Sequence, residues 1–153
     1  GSVLGTKANP YTLGSAAIFQ NGGTRFSLRI AEVLRGEDAL QKLLSTSRAN
    51  RTPGEGQEYI LVLVEVKVLS GPDGVPIDFW RYDFEWTVNN QIMDFYTSDA
   101  KSVIVPDPEL DFSLFPGGAA SGWMALLIPE SSRSPLLVFA RYSGNPGFYF
   151  ALE

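Results

Sequence analysis

The 153-residue chain has no cysteine and no histidine. The first absence removes disulfides, thiolate nucleophiles and Cys-ligated zinc together, although it leaves the compartment open. The second removes the commonest general base and the commonest metal ligand. Nucleophilic hydrolysis therefore lacks a histidine to activate serine, and neither a G-x-S-x-G elbow nor an S-x-x-K replaces it. Phosphate-binding loops are missing too: the glycines at 22–23, 54–56 and 117–118 mark turns and have no Lys-Ser/Thr after them. No apolar run reaches the roughly 18 residues of a membrane-spanning helix.

Positive charge is also scarce. Through Ser70, eight Lys/Arg stand against six Asp/Glu; beyond it, four stand against eleven. An acidic half with no basic stripe argues against nucleic acid, whose phosphates need clustered Lys and Arg. The simplest use of the net charge of −5 is to keep the surface soluble. No cofactor is expected, and no residue is assigned a catalytic or metal-binding role.

What is present reads as one domain. Hydrophobic residues make up 44% of the chain, enough for a substantial core. The 15 Gly, 10 Pro and 12% aromatic content suit short strands and tight turns. Residues 1–14 form an expected extended arm and 15–153 the domain. Gly1-Ser2 looks like a cloning scar, which leaves room for a signal peptide or lipid-anchor segment trimmed ahead of it, so the lack of one here carries no information.

The most telling stretch runs from Gly54 to Leu69. A Gly-rich turn enters a segment with apolar side chains on both faces. Tyr59, Leu61 and Leu63 point one way; Ile60, Val62 and Val64 point the other. Farther on, Glu65 and Lys67 face solvent while Val66 and Val68 face inward. This predicts a central strand, covered on both sides at one end and half exposed at the other.

The rest follows the same style. Ser15–Gln20 and Thr24–Leu34 read as a hairpin around Asn21-Gly22-Gly23. A helix is expected over 37–47, capped by Gly36, with Glu37 and Asp38 in its first turn. Its Leu40, Leu43 and Leu44 would close one end of a sandwich. Ile77–Val88 alternates, with Asp78, Trp80, Tyr82, Phe84, Trp86 and Val88 on one face. Asn89-Asn90 turns it into Gln91–Tyr96. Further strands are expected at Ser102–Val105, Leu110–Leu114, Ser121–Ile128, Pro135–Tyr142 and Gly147–Leu152. The fold class is thus all-β: an antiparallel, immunoglobulin-like β-sandwich with one short inserted helix.

Asn9-Pro10-Tyr11, then Gly54-Glu55-Gly56-Gln57-Glu58-Tyr59, then Phe115-Pro116-Gly117-Gly118 with Gly122-Trp123, recur in that order. From Asn9 to Tyr142 the chain resembles uncharacterised bacterial domains of secreted proteins and lipoproteins. These are immunoglobulin-like sandwiches related in fold to small secreted immunoprotective antigens. The resemblance implies an extracytoplasmic location, secreted or lipid-anchored at the cell surface. It implies no activity and assigns no residue.

Four constellations invite chemistry. The aromatic row Trp80, Tyr82, Phe84, Trp86 reads first as core; exposed, it would be a sugar-stacking platform or a protein-contact surface. Asp107, Glu109 and Asp111 could offer oxygen ligands to calcium, but they lack an EF-hand's pattern and fit the solvent side of an edge strand. Asp83 and Glu85 share a strand face at a spacing a glycosidase pair could use, as any charged sheet would offer. Arg48 and Arg51, flanking Asn50, could grip an anion, or simply answer the helix's negative end.

The leading expectation is a non-enzymatic extracytoplasmic binding or structural module of a bacterial secreted protein or lipoprotein. Its partner would be a protein or cell-envelope ligand, with membrane contact only through a trimmed lipid anchor. The alternatives are a carbohydrate-binding module using the aromatic row and a hydrolase with an Asp/Glu pair.

Overall fold

Strand β3 (Gln57–Ser70) carries two apolar faces because each has something to bury against. It lies between β2 (Thr24–Arg35) and β8 (Ala119–Pro129), antiparallel to both, in a sheet ordered β1-β2-β3-β8, with β1 spanning Ala17–Asn21. One face sends Ile60, Val62, Val64, Val66 and Val68 into the main core. The other sends Tyr59 and Leu61 toward Trp123 and Ala125 and under the helix. Where the helix ends, Glu65 takes over that face and is bound by Arg29 from β2 at 3.0 Å.

The opposing sheet is ordered β10-β9-β5-β6, from β5 (Phe84–Val88), β6 (Gln91–Met93), β9 (Leu136–Phe139) and β10 (Phe148–Ala151). Its Phe84, Trp86, Leu137 and Phe150 meet the first sheet in one shared core. Trp86 satisfies its indole across the gap, donating to the Leu127 carbonyl at 3.2 Å. A separate ribbon of β4 (Ile77–Trp80) and β7 (Asp111–Leu114) adds Phe79, whose ring lies 5.2 Å from that of Phe26. The architecture is the expected all-β antiparallel sandwich with one short inserted helix.

This computed structural model describes residues 3–153; the scar read at Gly1-Ser2 lies outside them. The arm is coiled rather than extended between Gly5 and Asn9, whose backbones bond at 2.7 Å. Tyr11 then pairs with β10, accepting from Ala151 at 2.8 Å and donating to Tyr149 at 2.9 Å. An otherwise open edge is thereby covered.

Helix α1 (Glu37–Thr46) starts at Gly36, whose positive φ of 65° suits glycine. Instead of plugging an end between the sheets, it lies on the outer face of the first sheet. Ala39 and Leu43 are buried there against Tyr59, Leu61 and Trp123. The register explains how β2 serves both faces. A bulge between Ile30 and Glu32 shifts its alternation, so Phe26, Leu28 and Ile30 face the main core while Leu34 packs beneath the helix.

Candidate functional site

The segment Ile77–Val88 contains two alternations out of phase, and the chain resolves the conflict by breaking. Ile77 and Phe79 follow one phase; Phe84, Trp86 and Val88 follow the other. A turn of 3₁₀ helix over Arg81–Asp83 absorbs the slip. Phe79 is buried before it, and Phe84 and Trp86 after it. Trp80 and Tyr82 are left outside the inter-sheet core. The expected four-membered row is therefore not one face: Trp86 is fully buried, whereas Trp80 is 46% exposed.

The stranded aromatics meet others from the loop after β6. Tyr82 lies 4.6 Å from Trp80 and 4.8 Å from Tyr96, ring centre to ring centre. Tyr96 is 71% exposed. Arg81 covers Tyr82 and the buried Phe95, at 5.2 and 5.4 Å from the ring centres. The result is an aromatic ledge open to solvent, unlike singly scattered surface apolars that need no explanation.

Tyr82 also forms one wall of a hollow of about 390 Å³. Phe26, Phe79 and Phe139 lie at its apolar base, and Asp78, Asp83, Arg141 and Tyr142 supply its polar rim. Asp83 closes the 3₁₀ turn by accepting the Trp80 N–H at 3.0 Å. Burial pushes its carboxyl above the ordinary aspartate value; the Trp80 N–H pulls it down, and the charge of Asp78 pushes it up again. Asp78 accepts the Ser113 hydroxyl across the β4–β7 ribbon. Arg141 is engaged elsewhere: its guanidinium forks onto Glu85 at 2.8 and 2.9 Å.

The backbone that presents Arg141 and Tyr142 is unusual. Ala140 holds a φ of +58°, a left-handed conformation that alanine rarely takes. It is held by its N–H, which donates to the Asp83 carbonyl at 3.0 Å. Strain of this kind is tolerated where surrounding structure over-determines it.

The pair Asp83 and Glu85 does not share a strand face. Asp83 sits in the 3₁₀ turn, and Glu85 lies on β5, tied to Arg141. The carboxylate that shares the hollow with Asp83 is Asp78, which sequence reasoning placed only at the head of the aromatic row. The visible signal was the adjacent pair Phe79-Trp80, which no single alternation can bury. Tyr142 and Arg141 had no such signal, because they reach the hollow through tertiary packing.

Asp107, Glu109 and Asp111 are exposed on a segment that hooks onto the free edge of β8. Trp123 donates to the Pro108 carbonyl at 2.8 Å and accepts from Leu110 N–H at 3.0 Å. Gly122 makes this approach possible, since a Cβ there would stand 2.5 Å from the Leu110 backbone. Among the described residues, no group of three or more acidic side chains is arranged to hold a metal ion.

Asn50, between the two arginines, bonds the end of α1. Its buried amide donates to Leu43 at 2.9 Å and Ile104 at 2.7 Å, and accepts from Ile104 N–H at 2.8 Å. This bracket holds the region expected as strand Ser102–Val105, which is instead a 3₁₀ turn over Asp99–Ser102 followed by irregular chain. Beside it lies a second hollow, of about 460 Å³, that includes Arg51, Tyr59 and Asp99. Asn50, Thr52 and Ser102 line it as well, and the Tyr59 hydroxyl donates to the Arg51 carbonyl at 3.1 Å.

No family model matches the chain, and no curated protein matches it. Among solved structures, it is similar to the yjhA protein from Bacillus subtilis, with a TM-score of 0.51 and 14% identity over 94% of this chain and 99% of that one. At that identity the likeness concerns the fold alone.

Proposed function

We propose that the protein is a non-enzymatic, extracytoplasmic binding module of a bacterial secreted protein or lipoprotein. It holds its ligand on the ledge of Trp80, Tyr82 and Tyr96 and in the adjoining hollow. The observation that carries this reading is the ledge itself. A sandwich with a full core still leaves Trp80 and Tyr96 substantially open to solvent, in ring contact through Tyr82. Large rigid rings beside a few convergent polar groups are the usual make-up of a binding site. The extracytoplasmic assignment is supported by the residues of the resemblance, from Asn9-Pro10-Tyr11 through Gly122-Trp123.

A carbohydrate ligand is the second reading, favoured by the exposed indole of Trp80 next to carboxylates that can accept hydroxyl protons. The platform would consist of Trp80, Tyr82 and Tyr96, because Phe84 and Trp86 are buried.

Co-sedimentation with insoluble bacterial envelope fractions tests the binding role. The wild type should be retained, and the double variant Trp80→Ala/Tyr96→Ala should lose at least most of that retention while unfolding normally. Equal retention of both proteins would overturn the placement of the site.

A further inference from the structure

We infer that the hollow beside the ledge receives an alkylammonium group of the ligand, its charge at Asp78 and Asp83 and its carbon stem on the phenyl rings below. This rests on the ledge and hollow being the binding site, and adds the chemical class that the hollow selects.

The argument is one of charge left over. Asp78, Asp83 and Arg141 bring ionic groups to the hollow. Arg141 already donates both arms of its fork to Glu85, so its charge is matched outside the pair of aspartates. Asp83 has the Trp80 N–H, and Asp78 the Ser113 hydroxyl, but both of these partners are neutral. Arg81 is stacked over Tyr82 and Phe95 and does not line the hollow. Among the described residues, two carboxylates, Asp83 half-buried and Asp78 exposed, are thus gathered without a cation of their own, an arrangement that a ligand cation relieves.

The base of the hollow decides which cation. A hard metal ion seeks a shell of oxygens; this hollow has two carboxylates over the phenyl rings of Phe26, Phe79 and Phe139, and no group of three acidic side chains arranged for a metal is found among the described residues. An organic cation uses both surfaces, since its methylenes bury on the rings while its charged head stays at the rim. Tyr142, exposed on that rim, adds an aromatic face for the head group. The raised carboxyl of Asp83 fits the same picture, because burial without a countercharge disfavours its ionised form.

The ammonium could be carried by a lysine side chain or by a free amine, and both are testable on the whole chain by NMR titration of backbone amides. N-acetyl-lysine methylamide and cadaverine represent the two sources; N-acetyl-norleucine methylamide has a lysine-like stem without the charge. The expected result is saturable shifts at Asp78, Tyr82, Asp83 and Ala140 with at least one charged probe. The norleucine analogue should act about tenfold more weakly or not at all. Tighter binding of the lysine derivative would assign the ammonium to a polypeptide, and tighter binding of cadaverine to a free amine.

Asp78→Asn/Asp83→Asn should weaken the charged probe about tenfold, with its fold verified by an unchanged amide spectrum outside the hollow. Should that variant unfold, high salt on the wild type decides, since it must weaken the charged probe and leave the neutral one alone. Equal shifts from lysine and norleucine probes, or shifts that map elsewhere, would overturn the inference. Retention on envelope fractions that still depends on Trp80 and Tyr96 would then leave the site itself standing.

Discussion

Asp83 accepts the backbone N–H of Trp80 at 3.0 Å, so one carboxylate both closes the 3₁₀ turn and sets the start of the aromatic ledge. It does so from a partly dry position that raises its pKa. A carboxyl raised in the folded state stabilises the fold fully below the unfolded value of about 3.9, and that contribution is lost as pH rises through the folded value. Asparagine keeps the acceptor and removes the titration. Relative to the wild type, Asp83→Asn should therefore be more stable at pH 7 than at pH 3.5. Denaturant unfolding of both proteins at the two pH values checks this, because other titrating groups cancel in the difference.

Gly122 predicts a steric outcome. Alanine there would drive a methyl group into the Leu110 backbone, which has no side-chain freedom with which to yield. The cost should be about 3 kcal/mol, or the 108–110 segment should detach from β8. Gly54→Ala is the control. No heavy atom lies within 4 Å of a Cβ placed there, so its effect should be a small fraction of the other. Urea melts of the two variants separate the cases.

Ala140 predicts the opposite sign. Its left-handed φ of +58° is a conformation glycine adopts freely. Ala140→Gly should leave stability unchanged or raise it by up to about 1 kcal/mol, the relief of strain exceeding the added flexibility of the unfolded chain. A loss above about 1 kcal/mol in equilibrium unfolding would mean the methyl group packs more usefully than its place at the hollow suggests.

The tryptophans separate by environment. Trp86 is fully buried with its indole bonded to Leu127, so Trp86→Ala should cost about 4 kcal/mol. Trp80→Ala should cost about 1 kcal/mol or less, since nearly half of that side chain is already in water. Acrylamide should quench a component of the fluorescence that disappears in Trp80→Phe, leaving emission from Trp86 and Trp123 largely shielded.

Much of the fold was legible because period-two patterning is unambiguous where both faces are apolar. Gly54–Leu69 gave β3 within a few residues, and the two turn asparagines 89 and 90 do take positive φ values of 48° and 66°. The helix was visible from its spacing, but its seat on the outer sheet face depends on Trp123 and Ala125 from a distant strand. Ser102–Val105 misled because its alternating apolar residues pack beside β8 without a strand ladder, held by Asn50. The site was the least legible part. It arises where alternation fails at Phe79-Trp80, and its far wall of Arg141 and Tyr142 comes from a distant segment, tied in by the Ala140–Asp83 backbone bond and the Arg141–Glu85 pair.

The most direct test of the binding site is hydroxyl-radical footprinting of the wild type with and without solubilised envelope extract. Oxidation of Trp80, Tyr96 and Tyr142 should fall on addition of extract, while exposed Ile18 on β1 and Ile92 on β6 should be oxidised as before. Unchanged oxidation of Trp80 and Tyr96, with protection at β1 or β6 instead, would contradict the account and place recognition at a sheet edge.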